Sequence, residues 1–382
     1  MNAPIVIDFG KNIKAKMLVD IIAGARPNFI KIAPIIEAIE AQHNAGVNID
    51  FRLVHTGQHY DKNMSGDFFE QLGIPAPHHN LEAGSGTQAE QTAKIMTGYE
   101  KLLLEKPCDL CIVVGDVTST MACSIAAKKI NNIKVAHVEG GIRSGDWTMP
   151  EEINRIVTDA ITDYFFTTSE VANNNLRKAG VPDSRIYFVG NTMIDTLYKQ
   201  MPRFTKPGIW EEYDLKDKSY IVMTLHRPAN VDDKDKLKEI ITEIVNSSQG
   251  LPLIFPVHPR TAKMLEATGI SYSNLHVIGP LGYLEFNYLV QHAKAVVTDS
   301  GGITEEATVM SVPCMTLRDS TERPETCTVG TNELLGTDPK NIAPAFAKLF
   351  SGEWKKGAIP ELWDGKTAKR IVGQIIQVFG LK

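Results

Sequence analysis

Residues 17–39 read MLVDIIAGARPNFIKIAPIIEAI and decide the fold. The β-rich run MLVDIIA is followed by a glycine, and four isoleucines then recur at the spacing of one helix face. These isoleucines are Ile32, Ile35, Ile36 and Ile39. Pro27 lies where the first turn of a helix tolerates proline. The stretch therefore predicts a strand, a turn and a helix in direct succession.

The same succession continues along the chain. Further strand-like runs in the first half are RLVHT, LCIVVGD, KVAHVEG, YFFTTS and RIYFVGN, and each precedes a helical pattern. After a linker at 201–218, a second series follows with SYIVMTLH, PLIFPVH, LHVIGP, AVVTDS and VPCMTL. This rhythm is typical of α/β proteins with parallel sheets. It predicts two Rossmann-like, doubly wound domains that face each other across a cleft.

We place an N-terminal domain at 17–200 and a C-terminal domain at 201–364. The last segment, 365–382, is expected to form a helix that returns to the N-terminal domain. Ligands of such sheets bind beyond the carboxyl ends of the strands, so functional residues are expected in the loops that follow them.

The composition is that of a globular protein with a formal net charge of −5. This charge favours neither nucleic acid nor an acidic membrane surface as a partner. Five scattered cysteines fit reduced thiols better than a disulfide framework. We recognise no signal peptide and no run of about 18 apolar residues, and therefore expect a soluble, cytoplasmic protein.

Three carboxylates lie where the edge of the first predicted sheet should be. Asp116 comes directly after the apolar run CIVVG, Glu139 follows KVAHV one strand later, and Glu151 opens a helix after RSGDWTM. Helix capping is the structural alternative for Glu151. Because neighbouring strand ends meet at one edge, we interpret the three acids as acid/base groups for one ligand.

Smaller polar motifs follow the first two strands. Gly24 and Arg26 lie at a helix start, where free N–H groups favour an anion, and Lys31 adds positive charge. A solvated helix start explains this pattern equally well. Gln58 and His59 follow the second strand and by themselves predict only a loop.

The segment DSGGITEE carries the clearest signal in the second half. A strand ends, Gly301 and Gly302 let the backbone approach a ligand, and a helix then begins with bare N–H groups. Together with Ser300 this predicts a cradle for a diphosphate. Glu306 follows one turn later and is placed to accept the hydroxyls of a ribose. The structural alternative is a glycine turn capped by Ser300.

Histidines and arginines follow other strands of the second half. His226 and Arg227 come after one strand, His258 after the next, and Arg323 lies in a charged loop further on. Arg323 is suited to contact phosphates. The histidines lack the spacing of a zinc site, and the C-x-x-C at 108–111 overlaps an apolar strand. We therefore expect no metal.

The chain resembles the non-hydrolysing UDP-N-acetylglucosamine 2-epimerases from residue 17 to residue 332. Ten motifs, in the family's order and spacing, carry the resemblance: GARPNFIK, HTGQHYD, GDVTST, HVEGGIRSGD, MPEEINR, FVGN, LHRP, PVHPR, DSGGITEEA and RDSTERPE. It implies two Rossmann-like domains of the GT-B type, a cytoplasmic homodimer, a UDP-sugar substrate and no cofactor or metal.

The resemblance also implies a mechanism. UDP is eliminated from UDP-N-acetylglucosamine (UDP-GlcNAc) through a 2-acetamidoglucal and is then re-added to give UDP-N-acetylmannosamine (UDP-ManNAc). The implied catalytic residues are Asp116, Glu139, Glu151 and His226, with His226 beside the diphosphate. The implied substrate contacts are Arg26, Lys31, Gln58, His59, Arg143, Ser300, Gly301, Gly302, Glu306 and Arg323. Which carboxylate removes the C2 proton stays open.

Some positions depart from the commonest family pattern. Asn28 stands where Glu often follows Arg-Pro, and Pro228 follows the His-Arg pair. In several members a second, activating UDP-GlcNAc binds in this region, which makes Gln58, Arg227 and His258 candidate regulatory residues. Allosteric control of this chain stays open.

The loop RSGDWTMPEEINR resembles that of relatives that act on UDP-2,3-diacetamido-glucuronic acid. An epimerase for that sugar is therefore one alternative, and a hydrolysing epimerase is another. From other classes, a glycosyltransferase with a UDP-sugar donor and a catalytically silent sensor are also considered. Three acids at one cleft argue against the sensor.

Overall fold

The protein was analysed as a computed structural model, and the structure describes residues 16–58, 72–257 and 259–382. Two separate β-sheets are present, and every strand pairing in both of them is parallel. Parallel strands need crossover connections, and helices supply them here. The α/β class and the two Rossmann-like units predicted from the rhythm of the sequence are confirmed.

The first sheet has seven strands in the order β3-β2-β1-β4-β5-β6-β7. Its strands are β1 (Met17–Ala23), β2 (Ile49–His55), β3 (His79–Asn80), β4 (Leu110–Val114), β5 (Lys134–Val138), β6 (Tyr164–Thr167) and β7 (Ile186–Phe188). The order reverses between β1 and β4, and ligands of doubly wound sheets bind at that kind of switch point. The short strand β3 was not predicted, since two exposed residues carry no periodic signal.

Among the described residues of the first half, the helices that accompany this sheet are α1 (Arg26–Asn44), α2 (Gln88–Glu105), α3 (Thr118–Lys128), α4 (Pro150–Ile161), α5 (Glu170–Lys178) and α6 (Thr192–Gln200). The isoleucines of the opening stretch are buried on one face of α1, as their spacing predicts. At the start of α2, Thr87 and Glu90 form a capping box in which each side chain accepts the other's backbone N–H.

The second sheet has six strands in the order β10-β9-β8-β11-β12-β13. They are β8 (Ile221–Thr224), β9 (Leu253–Pro256), β10 (Leu275–Ile278), β11 (Ala295–Thr298), β12 (Cys314–Thr316) and β13 (Asn332–Leu334). The switch point lies between β8 and β11. Its helices are α7 (Ile209–Glu212), α8 (Pro228–Val231), α9 (Lys234–Ser247), α10 (Pro259–Thr268), α11 (Tyr283–His292), α12 (Gly301–Val309), α13 (Pro324–Thr328) and α14 (Ile342–Ser351).

The last helix, α15 (Thr367–Phe379), packs on the first sheet and not on the second. Ile371, Val372 and Ile375 are buried in the same core as α1, and the carboxylate of Asp195 accepts the backbone N–H groups of Thr367 and Ala368. The domain boundaries 17–200 and 201–364 stay a prediction. Within the described part of the chain, no helix is both long and apolar enough to span a membrane.

Candidate active site

Glu139 lies directly after β5 and is held between cations from both halves of the chain. Its Oε2 is 2.8 Å from Nζ of Lys31 on α1, and its Oε1 is 3.0 Å from Nη2 of Arg323. The backbone of Glu139 has a φ of +73°, a left-handed conformation that is costly for a residue with a side chain. Burial acts to raise the pKa of Glu139, but Lys31 and Arg323 more than offset it and hold the pKa below its ordinary value.

Asp116 lies after β4, next to Glu139 at the edge of the sheet. Gly115 turns the chain here with a φ of +70°, which glycine adopts without strain. A Cβ added at Gly115 would lie 3.6 Å from Nζ of Lys31 and 3.7 Å from Oε2 of Glu139. The carboxylate of Asp116 is half-buried and accepts from Nε of Arg155 on α4 at 3.0 Å. The turns that carry the two acids therefore meet, as the sequence predicts.

Glu151 and Glu152 open α4 but lie in different surroundings. Glu151 is half-buried and lines a cavity of about 380 Å³. Glu152 is buried, and its carboxylate accepts from the backbone of Ser144 at 2.9 Å, from that of Gly145 at 3.1 Å and from Arg155 at 2.7 Å. Glu152 therefore shapes the loop that precedes α4, while Glu151 faces open space. Glu151, interpreted from the sequence as an acid/base group, is therefore the one of the two acids that a ligand in the cavity can reach.

Other walls of this cavity are polar and come from α2, α3, α4 and the loop after β2. They include Gln58, Gln88, Gln91, Thr118 and Asn154. Oε1 of Gln58 accepts from the backbone N–H and the hydroxyl of Ser119, at 3.2 and 2.7 Å. Gln58 is thus anchored at the cavity wall. His59 lies outside the described residues.

The turn between β1 and α1 is braced by Asn28. Its Oδ1 accepts the backbone N–H groups of Gly24 and Ala25 at 3.1 and 3.0 Å, and its Nδ2 donates to the carbonyl of Val114 at 3.0 Å. Two N–H groups expected to bind an anion are therefore already satisfied within the protein. Arg26 is the first residue of α1, and the structure does not describe its side chain.

The start of α12 in the second half lacks such a cap. Ser300 makes no side-chain capping hydrogen bond, so the structural alternative considered for this residue is not realised. Gly301 and Gly302 form the first turn and are half-buried. A Cβ added at Gly301 would lie 3.8 Å from Nη1 of Arg318, which places a guanidinium beside the turn. The helix N-terminus thus retains donors that an anion could accept from.

Glu306 lies on α12, one turn after the glycines, and is buried. The hydroxyl of Tyr283 on α11 donates to its Oε1 at 2.7 Å. Burial raises the pKa of Glu306 to about 7, although the hydrogen bond from Tyr283 acts in the opposite direction. The predicted ribose contact is therefore partly occupied by a tyrosine of the same half.

His226 follows β8, and its exposed ring lies beside a buried aspartate. Nδ1 of His226 is 2.8 Å from Oδ1 of Asp299, and Asp299 also accepts the backbone N–H groups of His226 and Arg227. Burial acts to raise the pKa of Asp299, but these hydrogen bonds lower it below its ordinary value. With Nδ1 held by Asp299, Nε2 is the ring nitrogen left for a ligand.

Arg323 connects the two halves. Besides its ion pair with Glu139, it donates from Nε to Glu305 at 2.8 Å and from Nη1 to the hydroxyl of Thr168 at 2.9 Å. The amide of Asn191 in the first half also donates to Glu305. The guanidinium of Arg323 is buried and engaged on three sides. Its predicted contact with UDP stays a prediction.

Arg143 and Arg227, two other predicted residues, differ in whether their side chains have protein partners. Arg143 lies 2.6 Å from Oδ2 of Asp159 and donates to the carbonyl of Ile142. Arg227 has a buried Nε with no hydrogen-bond partner among the described residues. His258 lies outside the described residues. Within the part of the chain that the structure describes, no cluster of three or more His, Cys, Asp or Glu side chains could hold a metal ion.

The family model described as UDP-N-acetylglucosamine 2-epimerase matches residues 41–376. The chain belongs to this family. Epimerases are isomerases, so the protein is an enzyme of that class. The membership predicted from the ten motifs is confirmed.

Two relatives at nearly equal identity are named for different sugars. The UDP-N-acetylglucosamine 2-epimerase of Methanocaldococcus jannaschii is 41% identical over 368 residues, which are 93% of this chain and 98% of that protein. The UDP-2,3-diacetamido-2,3-dideoxy-D-glucuronate 2-epimerase of Pseudomonas aeruginosa is 40% identical over 319 residues, which are 82% and 87% of the two chains.

A solved structure agrees with the architecture. The crystal structure of Methanocaldococcus jannaschii UDP-GlcNAc 2-epimerase in complex with UDP-GlcNAc and UDP has a TM-score of 0.84 and 40% identity. It covers 94% of this chain and 100% of that one. The GT-B-like fold implied by the resemblance is therefore confirmed.

Several residues that shape the site were not identified from the sequence. Arg155, Asp299 and Glu305 lie inside the motifs MPEEINR and DSGGITEEA, so membership of a motif was the available signal. Asp159 lies four residues beyond a motif and carried no signal of its own. Their roles depend on partners that are distant in sequence, which no local pattern reports.

Proposed function

We propose that the protein interconverts UDP-GlcNAc and UDP-ManNAc by inverting C2 of the sugar. The observation that carries this proposal is that the turns bearing Asp116 and Glu139 meet at the carboxyl ends of the neighbouring strands β4 and β5, while Glu151 lines a cavity. Inversion needs a proton removed from one face of the ring and another delivered to the opposite face. More than one acid/base group is therefore required, and carboxylates suit that chemistry.

The proposed reaction begins with elimination. A base takes the C2 proton, the C2–H electrons form the C1–C2 double bond, and the bond from C1 to the UDP oxygen breaks. UDP then returns to C1 of the 2-acetamidoglucal while an acid delivers a proton to the other face of C2. Asp116, Glu139 and Glu151 are the proposed acid/base groups, and no assignment of base and acid among them is made.

UDP has to be held while it is detached from the sugar. The uncapped start of α12 with Ser300, Gly301 and Gly302 is the proposed diphosphate site, and the helix dipole favours the negative charge there. His226, oriented by Asp299, is the proposed group beside the leaving diphosphate. Lys31 and Arg26 are the proposed cations of the first half.

The alternative substrate is UDP-2,3-diacetamido-glucuronic acid. The loop RSGDWTM before α4 supports it, as does the 40% identity to a relative named for that sugar. This loop is held in shape by Glu152 and lies next to Glu151, where it could contact substituents of the sugar.

Incubation with UDP-GlcNAc in D2O, followed by proton NMR, tests the proposal. We expect UDP-ManNAc to appear and deuterium to enter at C2. A glycosyltransferase or a hydrolase would instead release UDP without forming UDP-ManNAc. If the chain turns over only the diacetamido-uronate, the alternative substrate is correct. If neither an epimerised product nor deuterium exchange is detected with either sugar, the proposal is refuted.

A further inference from the structure

His137 lies on β5, two residues before Glu139, and both of its ring nitrogens have close partners. Nδ1 is 2.7 Å from Oδ1 of Asp159 on α4, and Nε2 is 2.8 Å from the carbonyl oxygen of Gly115 after β4. The side chain is 1% exposed, so water does not compete for either nitrogen. The ring thus connects the ends of two strands with a helix.

Both partners of the ring are acceptors. A carbonyl oxygen has no hydrogen to donate, so Nε2 must carry one. Asp159 also accepts at Oδ2 from the backbone N–H of Gly141 at 3.0 Å, and Arg143 lies 2.6 Å from the same oxygen. Burial acts to raise the pKa of Asp159, but His137 and Arg143 more than offset it and keep the carboxyl ionised. Because an ionised carboxylate only accepts, Nδ1 must carry a hydrogen too.

We propose that His137 is a doubly protonated imidazolium in the resting enzyme and a positioning residue for the two acids that flank it. The positioning role rests on the proposed function, in which Asp116 and Glu139 act on the sugar. The protonation of the ring does not depend on that function.

The hydrogen bonds of this ring hold two turns whose backbone is left-handed. Gly115, whose carbonyl accepts from Nε2, has a φ of +70° and immediately precedes Asp116. Glu139 has a φ of +73°, and Gly141 two residues later donates to the Asp159 that binds Nδ1. A left-handed backbone at Glu139 is costly for a residue with a side chain and persists only when its surroundings hold it. His137 and Asp159 provide such support.

The charge of the ring also acts on Glu139. The charged groups around His137 are Asp159 on α4, Arg143 in the following loop, Glu139 beyond the end of β5 and Lys31 on α1, which pairs with Glu139. The largest influences on the pKa of Glu139 are burial, Lys31 and Arg323. His137 is a smaller influence, and it lowers that pKa. Loss of the ring charge should therefore move protonation of Glu139 to higher pH.

The variant Asp159→Asn separates charge from shape. An amide has one accepting oxygen, and Gly141 and Arg143 both donate toward the position of Oδ2, so the amide NH2 would face Nδ1. The ring would then lose its Nδ1 hydrogen and remain bonded to Gly115 as the neutral Nε2–H form. The variant His137→Gln removes the ring and its charge. The glutamine amide can replace at most one of the two ring N–H donors.

The test is ¹⁵N NMR of the full chain labelled at histidine, recorded at neutral pH, with the His137 signals assigned by their loss in His137→Gln. We expect both ring nitrogens of the wild-type residue to carry hydrogen, and only Nε2 to do so in Asp159→Asn. A wild-type ring with one bare nitrogen at neutral pH would overturn the imidazolium, whether or not the enzyme turns over UDP-GlcNAc.

Kinetics test the positioning role. For Asp159→Asn and His137→Gln we expect kcat to fall about 10- to 100-fold with KM changed less than about twofold, and the acidic limb of the kcat–pH profile to move to higher pH. The matched control is His292→Gln, which removes a half-buried histidine outside the proposed site, whose Nδ1 is 2.9 Å from Asp217, and should change neither value. Unchanged kcat and pH profile in both test variants would refute the role, even with the imidazolium confirmed.

Discussion

Nη2 of Arg323 lies 3.0 Å from Oε1 of Glu139, so a loop of the second half forms an ion pair with a proposed catalytic acid of the first. The contact lacks hydrogen-bond geometry, since Oε1 of Glu139 has no hydrogen-bond partner among the described residues. Both side chains are buried, at 5% and 3% exposure. One guanidinium therefore both contacts the first half and lowers the pKa of Glu139.

Replacement of Arg323 by Gln should destabilise the protein strongly. The change leaves Glu139 and Glu305 buried without their shared cation, and removal of one partner from a buried ion pair typically costs about 3–5 kcal/mol. Urea denaturation measures the loss of unfolding free energy. Arg177→Gln is the control, because Arg177 pairs with two carboxylates at the surface and its loss should matter far less. Equal effects of the two variants would contradict the prediction.

The raised pKa of Glu306 makes part of the stability depend on pH. Glu306 binds its proton more tightly in the folded chain, where its pKa is about 7, than in the unfolded chain, where the ordinary value is 4.5. Its stabilising contribution is therefore complete below pH 4.5 and is lost as pH rises through 7. Glu306→Gln keeps an acceptor for Tyr283 but cannot ionise.

The difference in unfolding free energy between wild type and Glu306→Gln should accordingly fall on the order of 3 kcal/mol from pH 4.5 to pH 8. Urea titrations at several pH values measure it. Glu239→Gln, on an exposed part of α9, controls for general effects of removing a carboxylate. A difference that stays constant with pH would show that folding does not shift the pKa of Glu306.

Asp116→Asn should abolish deuterium exchange at C2 and leave UDP binding largely intact. The carboxylate lies after β4 in the first half, while the proposed diphosphate site is at the start of α12. Proton NMR in D2O measures the exchange, and calorimetric titration measures UDP affinity. Asp163→Asn, which changes a carboxylate paired with Lys128 outside the proposed site, serves as the control. Collapse of UDP affinity in Asp116→Asn would mean that this acid is assigned wrongly.

The neighbouring acids Glu151 and Glu152 should respond differently to the same change. Glu151→Gln is expected to lower kcat with a stability change within about 0.5 kcal/mol, because Glu151 lines the cavity. Glu152→Gln should cost about 1–3 kcal/mol of stability, because its carboxylate satisfies Ser144, Gly145 and Arg155. Each variant is the other's control in paired measurements of unfolding and turnover. If Glu151→Gln lowered stability and Glu152→Gln lowered only kcat, the two roles would have been assigned the wrong way round.

Asn28→Asp should destabilise the turn between β1 and α1. The Oδ1 contacts with Gly24 and Ala25 would survive, but an oxygen would replace the Nδ2 that donates to Val114. Two acceptors would then face each other in a buried site, at a cost of about 1–3 kcal/mol. Thermal or urea unfolding measures it, with the exposed Asn131→Asp as control. Equal stability of the two variants would show that the Val114 contact contributes nothing.

Several features could be predicted because they are local. The spacing of Ile32, Ile35, Ile36 and Ile39 predicts a helix face, and that face is buried in α1. The proximity of Asp116 and Glu139 could also be predicted, because they follow consecutive strands, and neighbouring parallel strands end at the same edge of the sheet. The short strands β3 and β13 were missed, since two or three residues show no period.

The sequence by itself determined the strand–turn–helix succession, and with it two parallel sheets and the motifs at their carboxyl ends. Only the tertiary structure decided which charges meet. Arg323 pairs with Glu139 across the two halves, and His137 joins Gly115 to Asp159. Hydrophobic periodicity records which face of an element is buried. It does not record which distant polar group lies opposite, because that depends on how whole sheets and helices pack.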